Sequence, residues 1–269
     1  MVIYKTNEEI ELIRKSCLLV CETLAHVGSL IKPGSTGKSL DKAAEEFIRS
    51  HDALPGFKGY RNFPATLCFS VNEVVVHGIP GDKELNDGDI VSVDCGVFMN
   101  GFFGDAAYTF LVGEVDPEVV DLCVATKTSL YLGIEAAVAG NRIGDIGAAI
   151  QDFTEKTHHY TVVKDLVGHG VGRNLHESPE VPNFGKKGKG LLMKEGLVIA
   201  IEPMINLGVR NVYQSKDGWT IFTRDRKPSA HYEHTIAVKK AQADILSDHT
   251  IIEDAIKKNP NLTDISEKR

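Results

Sequence analysis

Apolar residues recur at helical spacing from the start of the chain. Ile10, Ile13, Cys17, Val20, Cys21 and Leu24 follow Thr6 and Glu9, whose offset of three is a capping box, so a first helix is predicted here. Leu40, Ala43, Ala44 and Phe47 share one face of a second, from about 39 to 50. The pattern then turns strand-like at 65–69, 73–77, 89–95 and 105–112. Asp116-Pro117, an N-cap followed by proline at the first helical position, opens a third helix through Val119, Val120, Cys123, Val124, Leu130 and Ile134. A fourth fits 144–158, and strand-like segments follow near 197–205, 219–223 and 232–238. The order helix, helix, strands occurs twice without visible repetition of residues, which predicts two similar halves packed around one site. One unit is expected over 1–250, with 251–269 a C-terminal tail, loose and polar after Pro260.

The stretch DCGVFMNGFFGD, 94–105, adds a specific pairing. Asn100-Gly101 accepts the positive φ of a type I′ turn, so Met99 should face Phe102, Gly96 should face Asp105 and Asp94 should face Ala107. Side chains alternate with period two, which puts Asp94 and Asp105 on one face, within roughly 8 Å backbone to backbone. Two carboxylates that close, among Val91, Val93, Phe98 and Phe110, are costly unless a cation or a shared proton compensates them. The bland alternative is a wet hairpin with two solvated aspartates.

Composition narrows the class. The chain has 269 residues, 42% hydrophobic and 25% charged, which suits a globular protein with a sizeable core. A formal net charge of −7 argues against dedicated nucleic-acid binding, with Lys186-Lys187-Gly188-Lys189 a local basic exception. Five cysteines without metal-type pairing read as reduced, buried thiols. No stretch approaches the roughly 20 apolar residues of a membrane span, and MVIYKTNEEIELIRKS has no apolar signal core, so a cytoplasmic protein without membrane association is expected.

Three further places join acidic or imidazole groups to strands or glycines: GHGVGRNLHESP at 168–179, IEPM at 201–204 and YEHT at 232–235. Glu202 follows the apolar run 197–201, and Glu233 heads another, although carboxylates are almost never buried unpaired. Four carboxylates and one imidazole suggest divalent metals, harder or borderline ions such as manganese, iron or cobalt rather than a thiolate zinc site.

These motifs, with NEVVVHGIP (72–80) and SVDCGVFMNGFFGDAAYTF (92–110), closely resemble the type I methionine aminopeptidases of the short bacterial form, in order and from about Ile10 to Val238. The resemblance implies an α+β pita-bread fold, with two halves related by a pseudo-twofold, a central antiparallel sheet and flanking helices. It implies two divalent ions (Co, Mn, Fe or Zn), with Asp94 on one, His169 and Glu202 on the other, and Asp105 and Glu233 bridging. A metal-bridging hydroxide would attack the first peptide bond while Glu202 moves the proton to the leaving amine. His176 would hydrogen-bond the carbonyl oxygen, and His77 would contact the next peptide unit. Tyr60, Cys68 and Trp219 match the family's methionine pocket, whereas Phe57 stands where a cysteine is frequent, Phe63 where a tyrosine is frequent and Leu175 where an aromatic is frequent. Substrates would be nascent polypeptides with a small second residue. The ribosome would be a transient neighbour through the Lys186 to Lys189 loop, and the enzyme is expected as a monomer.

Other readings fit less well. GSTGKS at 34–39 is not a phosphate loop, because Lys32 stands where the first glycine belongs. No Gly-x-Ser-x-Gly elbow marks a serine hydrolase, and His158-His159 has no carboxylate at ligand spacing. A proline-directed peptidase normally needs a larger N-terminal domain and a further histidine-rich segment. A type II methionine enzyme carries a long insertion, but only 32 residues separate His169 from Glu202 here. The rival from another class is a metal-poor pita-bread binding module without peptidase activity, whose relatives have lost ligands that this chain retains.

Overall fold

A computed structural model describes residues 1–268. Helix α1 spans Asn7–Leu30, and Thr6 and Glu9 form the predicted capping box at its start. All six of its predicted apolar positions are buried. Helix α2, Gly37–Ser50, is capped by the Thr36 hydroxyl, which accepts from Ser39 N at 3.2 Å. Asp116 caps α3, Pro117–Ala136, in the same way at Glu118 N. The expected fourth helix divides: α4 runs Ile143–Gln151, and Asp152–Thr157 continues as a wider π turn.

Nine strands form one central sheet, numbered here along the chain: β1 Leu54–Pro55, β2 Leu67–Val71, β3 Ile90–Met99, β4 Phe102–Leu111, β5 Gly168–Gly170, β6 Glu177–Val181, β7 Val198–Ile201, β8 Glu233–Ala237 and β9 Asp244–Ile245. Their order is β1-β3-β4-β8-β7-β5-β6, with β2 beside β3 and β9 beside β8, and every pair is antiparallel. The β3–β4 hairpin has the predicted register: Met99 pairs with Phe102, Gly96 with Asp105 and Asp94 with Ala107. Its turn residues Asn100 and Gly101 have φ of 55° and 82°, the left-handed values that a type I′ turn needs. Helix α1 packs on β3 and β4, and α2 lies against α1. Helices α3 and α4 pack on each other.

Two chain segments change sheets side by side. The expected strand at 197–205 is interrupted: β7 ends at Ile201, and Met204–Asn206 pairs instead with Ser229–His231 in a separate three-stranded sheet. Pro203 has no N–H to contribute to a ladder, which favours the break there. The strand it pairs with makes the same crossing, from Ser229–His231 into β8. Glu202 and Glu233 sit at these two crossings.

The C-terminal expectation is corrected. Helix α5, His249–Lys258, packs on α1 and buries Ile252 and Ile256. Asn259 Nδ2 donates to Gly28 O and Ile31 O, both at 2.8 Å, and Ile265 is buried in the main core. An apolar stripe of Ile251, Ile252, Ala255 and Ile256 at helical spacing, N-capped by Asp248, outweighs the polar composition that suggested a loose tail. Among the described residues no helix is long and apolar enough to cross a membrane.

Candidate metal centre and its pocket

One row of the sheet carries the centre of the site. Cys68 on β2 pairs with Asp94 on β3, Asp94 pairs with Ala107 on β4, and Ala107 pairs with Glu233 on β8. The small alanine leaves open the space between the two acids. Asp105 lies two residues from Ala107 on the same face, so three carboxylates from three adjacent strands converge. The wet-hairpin alternative does not hold: Asp105 is 3% exposed, and Asp94, itself half-buried, keeps its Oδ1 away from solvent.

His169 enters from β5, whose flanking glycines permit it to approach. A Cβ on Gly168 would stand 2.4 Å from Ala200 O, and one on Gly170 would stand 2.6 Å from Ser178 O. His169 Nδ1 lies 2.9 Å from Gly170 O; a carbonyl only accepts, so Nδ1 carries the proton and Nε2 is left with a bare lone pair. That lone pair is 3.5 Å from Glu202 Oε1 and 3.7 Å from Asp105 Oδ2. Ligand atoms of Asp105, His169 and Glu233 all lie within 4.8 Å of one another.

Charge makes the cluster costly as it stands. Burial pushes Asp94 up to about 7. Burial raises Asp105, with Asp94 and Glu202 adding repulsion; burial and then Asp94 raise Glu202; burial, Asp105 and Glu202 raise Glu233. Among the described residues no lysine or arginine pairs with any of the four. Asp94 Oδ1, Asp105 Oδ1 and Glu233 Oε1 are buried without a hydrogen-bond partner. Oxygen-rich, without a lysine or arginine partner and joined by one bare imidazole nitrogen, the set fits divalent cations.

A cavity of about 280 Å³ opens on this cluster, and every candidate residue from the sequence lines it. Its apolar end is formed by Phe57, Phe63, Cys68 and Leu175, all buried, with Tyr60 and Trp219 packed against them. The Phe63 and Trp219 rings meet edge to face at 5.1 Å. Asp217 Oδ1 accepts from Trp219 N at 2.8 Å and from Thr220 N at 2.9 Å, which fixes the indole's backbone. His176 stacks on Tyr60, shares a hydrogen bond of 3.0 Å between Nδ1 and the Tyr60 hydroxyl, and lies 4.1 Å from the His169 ring. Desolvation, then His169, Arg61 and His77, hold His176 below its usual pKa, and burial lowers His77 to about 4.

Two residues of this site escaped the sequence reading. Asn183, fully buried, donates from Nδ2 to Glu202 O at 2.9 Å and so holds the crossing segment. His231 is buried with Nε2 4.0 Å from Glu202 Oε2. Its position two residues before Glu233, on the same side of an extended chain, was the available signal.

Comparison with known proteins places this geometry. A family model, Metallopeptidase family M24, matches residues 11–240. The chain is 50% identical over 247 residues to a methionine aminopeptidase of Clostridium perfringens, covering 92% of this chain and 99% of the relative. It is 45% identical over 247 residues to methionine aminopeptidase 1 of Bacillus subtilis, with the same coverage. The crystal structure of methionine aminopeptidase from Rickettsia prowazekii superposes with a TM-score of 0.91 at 42% identity, over 92% of this chain and 100% of that one. The helix-flanked antiparallel sheet is the α+β pita-bread fold that the motifs implied.

Proposed function

The chain belongs to metallopeptidase family M24 and, within it, to the type I methionine aminopeptidases, and from that premise we propose how its residues divide the work. It is a metal-dependent aminopeptidase that removes N-terminal methionine. The observation that carries the assignment of the site is the convergence of Asp105, Glu202 and Glu233, without a lysine or arginine partner, around the bare Nε2 of His169, with Asp94 diagonal to Asp105 on the same sheet face.

Asp94, Asp105, His169, Glu202 and Glu233 would hold two divalent ions; manganese, iron, cobalt and zinc all suit such donors. Bound there, the ions neutralise the acids and supply the Lewis acidity that brings a water toward ionisation at neutral pH. Glu202, whose Oε1 faces the cluster beside His169, takes the water's proton and returns it to the leaving amine. His176 donates from Nε2 to the scissile carbonyl oxygen as charge develops; a Tyr60 hydroxyl donating to Nδ1 keeps the proton on Nε2. His77 steadies the following peptide unit beside Trp219.

The apolar end of the cavity takes the unbranched thioether, and Phe57, Phe63 and Leu175 keep it apolar where the family often places other residues. Substrates are nascent polypeptides with a small second residue. We further place the enzyme in the cytoplasm as a monomer, with the exposed Lys186, Lys187 and Lys189 available for transient ribosome contact.

The test is release of methionine from Met-Ala-Ser by metal-free and manganese-loaded protein. Release only by the loaded form is expected. Manganese uptake without release would favour the binding module instead.

A further inference from the structure

Buried polar atoms without a partner are rare in native proteins, and each requires a reason. His231 Nε2 is one of them, in a side chain that is 1% exposed. The backbone of this histidine is fixed from the neighbouring strand. The Thr109 hydroxyl donates to His231 O at 2.7 Å and accepts from His231 N at 3.1 Å. Pairing of His231 with Met204 then sets the imidazole against the crossing segment that carries Glu202. Among the described residues Glu202 is the one acidic group within 4.0 Å of His231 Nε2, through Oε2. Its other oxygen, Oε1, faces His169 at 3.5 Å. The Glu202 carboxylate therefore stands between two imidazoles, and the His169 nitrogen facing it carries no proton.

We propose that His231 is the positioning residue for Glu202: its Nε2–H donates to Oε2 and so turns Oε1 toward the position that His169 also faces. The proposal rests on the reading of Glu202 as a metal ligand and proton carrier. A carboxylate free to rotate would divide its time between ligand and non-ligand orientations, whereas one held at Oε2 presents Oε1 already aimed. Outer partners that orient a ligand in this way typically account for about 10- to 100-fold in metal affinity or activity. A glutamine amide supplies an N–H of similar reach, and a leucine fills similar space with no donor.

The experiment titrates metal-free wild type, H231Q and H231L with manganese by calorimetry and follows Met-Ala-Ser turnover alongside. The expected result is about a 10-fold or larger loss of affinity at one ion position in H231L, with kcat falling and KM little changed. H231Q should recover affinity to within about threefold of wild type. H231L binding as wild type does, or H231Q as impaired as H231L, would overturn the role. Wild type taking up no manganese would instead overturn the metal-site reading itself. Nitrogen NMR of zinc-loaded wild type provides a readout independent of any variant's folding: the proton of His231 belongs on Nε2, and finding it on Nδ1 alone would also overturn the role.

Discussion

Tyr60 and His176 are tied to each other twice, by a hydrogen bond of 3.0 Å and by stacked rings 5.2 Å apart, although 116 positions separate them. The link joins the apolar end of the cavity to the histidine proposed to act on the reacting carbonyl. Replacing His176 by alanine should lower kcat about 100-fold, the usual cost of one donor to a developing oxyanion, while metal content stays as in wild type. Y60F, which keeps the ring and loses the hydroxyl, should cost roughly threefold to tenfold. Steady-state kinetics with metal analysis on the same samples checks both; an unchanged kcat in metal-replete H176A would remove His176 from the mechanism.

Asp94 makes a pH prediction whose sign follows from burial. Its folded pKa, about 7, lies above the ordinary carboxylate value of an unfolded chain. The folded metal-free protein therefore holds the extra proton between these values, and Asp94 destabilises the fold progressively as pH rises through that window. D94N, which cannot ionise, should melt several degrees above wild type at pH 8 without metal and show a much smaller difference at pH 4. Thermal melts at the two pH values decide it, and an equal difference at both would contradict the assignment. Because metal must displace that proton, wild-type affinity should also fall as pH drops below 7.

Lys5 and Glu177 form an ion pair with side chains only 3% and 4% exposed. Glu177 Oε1 also accepts from Asn174 N at 3.2 Å, so the pair braces the loop that carries Leu175 and His176. K5M should destabilise the protein by about 3–5 kcal/mol, because it leaves a buried charge unpaired, and K5M/E177Q should recover most of that. Urea denaturation of the single and double variants checks the coupling; additive losses would argue against it.

Much of this was legible along the chain. The hairpin register follows from Asn100-Gly101 and strict alternation, which put Asp94 and Asp105 on one face. His169, Glu202 and Glu233 were each weak signals, because nothing local reports that residues 169, 202 and 233 meet; the ordered motifs supplied that. Strand β5 has three residues, two of them glycine, too short for any period to show. Asn183 and His231 remained hidden because their partner, Glu202, is distant in sequence or lies across a crossing between sheets. The π turn after Gln151 was missed because Phe153 and Thr154 keep to a helical pattern that backbone geometry alone departs from.

The C-terminal segment is the case where composition misled. Asn259 satisfies two carbonyls at the end of α1, Gly28 O and Ile31 O, and is 7% exposed. N259A should cost about 1–3 kcal/mol, the penalty for leaving buried acceptors unpaired. A urea midpoint equal to that of wild type would show that the segment contributes no stability to α1.

The most direct test of the whole account is anomalous scattering from crystals of the manganese-loaded enzyme. Two peaks about 3.5–4 Å apart should lie in the cavity, one against Asp94 and the other against His169 and Glu202, with Asp105 and Glu233 reaching both. Peaks elsewhere, or none touching Asp105 and Glu233, would contradict it.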